Sequence, residues 1–246
     1  MKRRSFIQKS SASALAVTVL PNLAFSSSQD LGYTLEELMG KADIELFGKG
    51  INLKEEAHDA FIEMKRKAYS SGVDLKVISS YRSFDRQQTI WENKFIRFTD
   101  DNGMEPLDAI SKIIEYSTIP GTSRHHWGTD IDLVDGYKKV KGDVLVPSKF
   151  EEGGPYEDFK KWMDENSEKY GFYLVYTNKP KRRGFKYEPW HYSYAPISIP
   201  MLEAYRRINI LKIYREQDFL GCEHFTSGFL RGYISDNILD INPKLL

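Results

Sequence analysis

Apolar residues recur at helical spacing from Lys54 to Ser71, where Ala57, Phe61, Met64 and Ala68 form one stripe, and Gly72 follows as a stop signal. Val73 to Ser79 then alternates as a half-buried strand. The same patterns predict helices over Phe84 to Arg97, Pro106 to Tyr116, Tyr156 to Tyr170 and Ile199 to Gln217. Strands are expected near Thr129 to Val134, Phe172 to Tyr176 and Trp190 to Tyr194. Short strands among unevenly spaced helices predict one α+β domain with a small, largely antiparallel sheet flanked by helices. From Gln29 onward there is no internal repeat or long linker; Gly136 to Gly142 and Asn178 to Gly184 read as surface connections. The stretch Gly228 to Leu246 is too apolar for a disordered tail and is expected to pack on the domain.

The first 28 residues follow a different pattern. Lys2, Arg3 and Arg4 precede the apolar run Ala12 to Leu20, and small residues follow around Ala24 and Ser26. That is the layout of an export signal, with the domain expected from residue 29 to 246 and its destination the periplasm or cell envelope. The run is too short to span a bilayer, which takes roughly 20 apolar residues, so a signal anchor is the weaker reading. Arg3-Arg4 with Phe6 is similar to a twin-arginine signal, although Gln8 departs from the usual pattern; a general secretory signal is the alternative.

The 246 residues carry 35 Lys plus Arg and 35 Asp plus Glu. A zero balance argues against a nucleic-acid binder, which needs a basic excess to displace counterions. All four bases of the first 28 residues lack a balancing acid there, so the remainder has 31 bases against 35 acids, a net charge of −4. No stable membrane insertion is expected once the signal is removed. Cys222 is the single cysteine, which excludes an internal disulfide, and it reads as a small buried hydrophobe rather than a catalytic thiol.

Three clusters look chemical. In Pro120 to Leu133, two histidines and two carboxylates fall between His125 and Asp132, with Gly128 permitting a tight turn. If Thr129 to Val134 is a strand, Asp130, Asp132 and Val134 share one face while Ile131 and Leu133 fill the core on the other. Glu188-Pro189-Trp190-His191 places an acid three residues before a histidine, and Ser79 to Gln87 places Arg82 between a strand and a helix. Two separated histidines and a carboxylate are ligand types that a catalytic zinc takes, with the fourth position left for water. Residue types alone do not establish such a site, because an isolated histidine is more often structural.

As a set, the segments are more specific. Ser123-x-His125-x-x-Gly128-x-x-x-Asp132 followed by Glu188-x-x-His191, with Tyr81-Arg82-Ser83 and Gln87 upstream, resembles the zinc D-alanyl-D-alanine carboxypeptidases of the VanY type. These share a superfamily with lysostaphin-like peptidases and the hedgehog domain, and the likeness covers roughly Val73 to Tyr194. The resemblance implies a hedgehog/DD-peptidase-like fold and one Zn2+ per chain, held by His125, Asp132 and His191. It implies Glu188 as catalytic acid/base and Arg82 as the group that binds and polarises the substrate. Gln87 and Ser123 would contact the terminal D-residue, with Tyr81 of the same motif and Trp190 counted among the substrate contacts. Pro189 disfavours regular pairing, so Glu188 is expected just outside a strand that contains His191.

One departure stands out. Asp130 occupies a position where the family usually has a small residue, and His126 adds a further possible ligand. Asp130 either orients a ligand histidine or competes with Asp132; the seven-residue spacing from His125 favours Asp132. His126 is expected on the pocket wall or behind a ligand, with a purely structural role the alternative. His58 and His224 read as structural. Trp127, Tyr187, Trp190, Tyr192 and Tyr194 crowd the motif as cleft walls or core. The expected function is an exported zinc peptidase that removes terminal D-alanine from peptidoglycan stem peptides. The alternatives are an endopeptidase or L,D-carboxypeptidase of the same superfamily and, from another class, a non-catalytic zinc-stabilised binding module, which the presence of Glu188 disfavours.

Overall fold

The computed structural model describes residues 32–246; the expected export signal over residues 1–28 lies outside them. No helix among the described residues is long and apolar enough to cross a membrane. The chain order begins with α1 (Leu35–Leu38), α2 (Glu55–Ser70), β1 (Leu75–Ser79), α3 (Phe84–Ile96), α4 (Pro106–Ile113) and β2 (Asp130–Asp135). It continues with α5 (Glu157–Asn166), β3 (Phe172–Leu174), β4 (His191–Tyr194), α6 (Ala195–Tyr205), α7 (Ile210–Tyr214) and α8 (Ser227–Tyr233).

The four strands form one sheet in the order β1-β2-β4-β3, with every neighbouring pair antiparallel. This is the expected α+β arrangement. Its two faces differ because strand side chains alternate. Ile131 pairs with Tyr192, and these share an apolar cluster with Leu133, Phe172 and Tyr194 from the strands and Phe61, Met64, Phe159 and Met163 from α2 and α5. On β2 and β4 the intervening positions are Asp130, Asp132, His191 and Ser193, so the sheet's other face is polar. Burial is complete on both sides of β2, including Asp130 and Asp132. Val134, two positions beyond Asp132 on β2, is buried and packs within the apolar cluster. A bulge between Val77 and Ser79 shifts the register of β1 against β2 near the end of β1.

A second apolar cluster joins α3 and α4 to the C-terminal helices through Trp91, Phe95, Ile110, Met201, Tyr214, Phe219 and Tyr233. Trp91 is fully buried and donates its indole N–H to Leu220 O at 2.8 Å. The expected packing of the C-terminal stretch is therefore observed, down to Ile241 and Leu245. The single helix expected over Ile199 to Gln217 is two helices. α6 starts earlier, at Ala195, because Pro196 sits in the first turn where no N–H is needed. It ends at Tyr205, and the Asn209 side chain then accepts from Lys212 N at 3.1 Å to begin α7. The connection from Asn178 to Gly184 is also less free than expected: Arg182 donates to Asp240 O, Thr177 O and Phe185 O, which ties this loop to the C-terminal segment. Cys222 is partly buried, with Phe219 N–H donating to its sulfur at 3.4 Å.

Candidate metal centre

β2 and β4 set Asp132 directly opposite His191 and Asp130 opposite Ser193. The third partner arrives from the turn before β2. Residues Arg124–Trp127 make one turn of 3-10 helix, and Gly128 ends it with φ +67°, where an added Cβ would lie 3.0 Å from Leu46 Cδ2. The turn lays His125 against the start of the strand, with Nε2 3.5 Å from Asp132 Oδ2. The His125 and His191 rings are 4.7 Å apart between centroids. Glu188 lies just before β4 in the expected turn, with His191 N–H donating to Glu188 O at 3.1 Å.

Hydrogen bonds decide which nitrogen of each imidazole faces the centre. His125 Nδ1 lies 2.8 Å from Ser80 O, and a carbonyl can only accept, so Nδ1 carries the proton and Nε2 presents its lone pair inward. His191 Nε2 lies 2.9 Å from Asp130 Oδ1. Burial alone would raise the Asp130 carboxyl, but Arg124 and His191 hold it well below the usual carboxylate range, so it is an anion that receives the Nε2 proton. That leaves His191 Nδ1 toward Asp132 Oδ1 at 3.9 Å and Glu188 Oε2 at 2.9 Å. Burial opposes charge on His191, yet its carboxylate partners Asp130 and Glu188 push it up to about 10. Burial raises the Glu188 carboxyl against the pull of His191.

Among the described residues, one ligand atom each from His125, Asp132 and His191 lie within 4.8 Å of one another. Asp132 Oδ1 is buried and has no hydrogen-bond partner. A buried carboxylate oxygen without a hydrogen-bond partner, on a carboxylate that faces His125 with one oxygen and His191 with the other, is costly unless a cation completes it. With the His191 Nδ1 proton displaced by a cation, two imidazole nitrogens and one carboxylate oxygen make a donor set that suits zinc and leaves a fourth tetrahedral position open.

Asp130 does not compete with Asp132, because its oxygens are committed. Oδ1 takes Arg124 Nε at 3.0 Å as well as His191, and Oδ2 accepts from Thr129 Oγ1 at 2.7 Å and Ser193 Oγ at 2.8 Å. Arg124 also donates to Ser193 Oγ at 2.7 Å. Sequence reading missed Arg124, Thr129 and Ser193, although Ser193 lies two positions from His191 and so on its face. Replacing Asp130 with Ala leaves the buried Arg124 guanidinium without its counter-charge. Urea unfolding of the metal-free protein is expected to show a loss of about 3–5 kcal/mol; a change within 1 kcal/mol would mean that this network is not what holds the turn.

His126 is not a ligand. Its Nδ1 donates to Arg82 O at 2.6 Å and its Nε2 accepts from Gly121 N–H at 3.1 Å, so both nitrogens are used within the protein. Burial lowers it to about 3, which keeps it neutral. Its backbone neighbour His125 accepts from Arg82 N–H at 3.0 Å, so the first and second motifs are joined by main chain. The Arg82 side chain is braced by Gln87 Oε1 at 2.7 Å and Ser79 Oγ at 3.0 Å. Gln87 is fully buried and donates to Thr118 O at 2.7 Å, so its amide works behind Arg82 and is not among the residues lining the cleft. Tyr81 is partly buried and likewise stands off the lining.

The cleft has a volume of about 490 Å³ and brings together Arg82, Ser123, His125, Asp132, Glu188, Trp190 and His191. Trp190 packs on Phe150 with ring centroids 5.7 Å apart, and Tyr176 stands edge-on to His191 at 5.2 Å. Tyr192 and Tyr194 belong to the apolar core and Trp127 packs against Tyr205, so these aromatics do not wall the cleft. Lys94, two turns beyond Gln87 on α3, also lines it, and burial with Arg82 nearby lowers its pKa. Neither Tyr176 nor Lys94 carried a signal in the sequence, since each is brought in only by folding.

The family model described as VanY, D-alanyl-D-alanine carboxypeptidase, matches residues 50–197. The chain is 33% identical over 143 residues to the putative carboxypeptidase YodJ of Bacillus subtilis, across 58% of this chain and 46% of that protein. It is 30% identical over 132 residues to a D-alanyl-D-alanine carboxypeptidase of Enterococcus faecalis, across 53% of this chain and 43% of that protein. The matches thus span about half the length of these relatives. Among solved structures, VanYB in complex with D-alanine-D-alanine aligns with a TM-score of 0.51 at 22% identity, covering 72% of this chain and 92% of that one. A mutant of the vancomycin resistance D,D-pentapeptidase VanY in complex with Zn(II) aligns with a TM-score of 0.50 at 24% identity, covering 68% and 85%. At these identities the two structures show a shared fold.

Proposed function

The chain belongs to the VanY family of D-alanyl-D-alanine carboxypeptidases, and from that premise we propose that it removes terminal D-alanine from peptidoglycan stem peptides with a zinc ion held by His125, Asp132 and His191. The observation that carries the reading is the orphaned Asp132 Oδ1, on a buried carboxylate that faces two imidazoles whose other nitrogens are already fixed by Ser80 O and Asp130. When bound, zinc supplies a Lewis acid and lowers the pKa of water at the site.

The chain's own groups do the rest. Glu188, buried and lining the cleft, takes a proton from the attacking water and returns it to the departing amine. One C–O bond forms, the C–N bond breaks, and the products are free D-alanine and a shortened peptide carboxylate. Arg82, held flat by Gln87 and Ser79, offers planar donors to the polarised carbonyl or the terminal carboxylate. Ser123 and Trp190 contribute a hydroxyl and an aromatic wall to the same cleft. The buried surroundings exclude bulk water and strengthen each of these interactions.

Digestion of defined muropeptides, read by mass spectrometry with and without chelator, tests this. One D-alanine is expected to leave a pentapeptide, with the loss abolished by chelation and restored by zinc. Cleavage inside the stem, D-alanine loss from tetrapeptide only, or activity indifferent to chelator would overturn the assignment. We place the working enzyme in the cell envelope on the strength of the basic start and short apolar run of residues 1–28. Fractionation of producing cells should find the processed chain outside the cytoplasm, and an uncleaved cytoplasmic pool would argue against export.

A further inference from the structure

Residues 119–122 lead straight into Ser123 and His125, and their polar groups are held by side chains from far along the chain. Tyr205 Oη donates to Gly121 O at 2.8 Å, and the Tyr214 hydroxyl donates to Pro120 O. Ile119 N–H donates to Tyr233 Oη at 3.1 Å. Thr122 Oγ1 donates to Ile119 O at 2.8 Å, so it receives the Tyr233 hydroxyl proton at 2.8 Å. Gly121 N–H is taken by His126, which fixes this peptide from both sides. Gly121 has φ +85°, and a Cβ there would meet Met39 Cε at 2.7 Å.

The three tyrosines have a common placement. They come from three successive helices, α6, α7 and α8 respectively, and each is buried. All three lie beyond residue 197, where the family match ends. Three helices thus send tyrosine hydroxyls to four residues directly upstream of a candidate ligand, whereas a tail that merely covered apolar surface would need no such convergence of hydroxyls.

We propose that the C-terminal segment is a positioning device for the metal centre: Tyr205, Tyr214 and Tyr233 fix the backbone of residues 119–122 and thereby the placement of Ser123 and His125. The inference rests on the reading of His125 as a metal ligand. The tyrosines touch neither metal nor substrate; they act through the loop, as outer partners do when they orient a ligand.

The test is the double variant Tyr205→Phe with Tyr233→Phe in the full chain, which keeps both rings and removes two hydroxyls. Met163→Ala, in the opposite apolar cluster, supplies a destabilised control remote from the loop. In the double variant the dissociation constant for Co2+, read from its visible spectrum, should rise about tenfold or more. Turnover should fall, and amide exchange of residues 120–126 in the metal-free protein should quicken by about tenfold beyond any global change. Met163→Ala should lower Tm while leaving Co2+ affinity unchanged. The proposal is overturned if the double variant loses Tm like Met163→Ala yet keeps wild-type Co2+ affinity and local exchange. Should the wild type bind no Co2+ or Zn2+, the metal reading fails, and the exchange measurement on the metal-free chain still decides whether the clamp holds the loop.

Discussion

Glu188→Gln is expected to retain zinc at one ion per chain and to lose turnover by about 10²–10⁴-fold, the range ascribed to a general acid–base group. The amide keeps the size of the carboxyl and can still hydrogen-bond near His191 Nδ1, but it cannot take a proton from water. Its effect should fall on kcat, because Arg82, Ser123 and Trp190 still line the cleft and the proposed peptide contacts are left in place. Steady-state kinetics on a D-alanyl-D-alanine-ended peptide, paired with elemental analysis, reads both quantities. An active Glu188→Gln enzyme would sink the mechanism, and an inactive one without zinc would reassign Glu188 to metal binding.

His191→Ala should behave in the opposite way, losing the metal and, with it, all measurable turnover. Three carboxylates, Asp130, Asp132 and Glu188, surround the imidazole. Removing it deletes a ligand and also gathers uncompensated negative charge in a buried space, so the metal-free variant should unfold more readily than wild type. Asp132→Asn serves as the milder companion, since it removes ligand charge while leaving His191 among its partners. Added zinc should raise the wild-type Tm by binding the native state and leave both variants unmoved. Wild-type zinc content and thermal response in either variant would exclude the three-residue site.

The α2 stripe, the antiparallel strands and the position of Glu188 just before β4 were legible because periodicity and proline chemistry act within a few residues. The helix expected over Ile199 to Gln217 failed for a local reason as well: the apolar pattern continues across residues 206–209, and only the Asn209 cap marks the break. Gln87, expected as a substrate contact, has its amide spent on Arg82, five residues back, and on Thr118, 31 residues on, the second a partner fixed only by packing.

The sequence by itself determined the membership of the family, and through that resemblance pointed to three candidate ligands and the acid beside them, because the motif spacing His125 to Asp132 and Glu188 to His191 is a one-dimensional quantity. Only the tertiary structure decided which imidazole nitrogen faces inward, that Asp130 backs His191 instead of competing with Asp132, and that His126 is a neutral brace. It alone brought Tyr205, Tyr214 and Tyr233 onto the loop before His125. The physical reason is that proton placement and hydrogen-bond partnership depend on groups brought within about 3 Å by folding, and no local pattern records which distant residue will supply them.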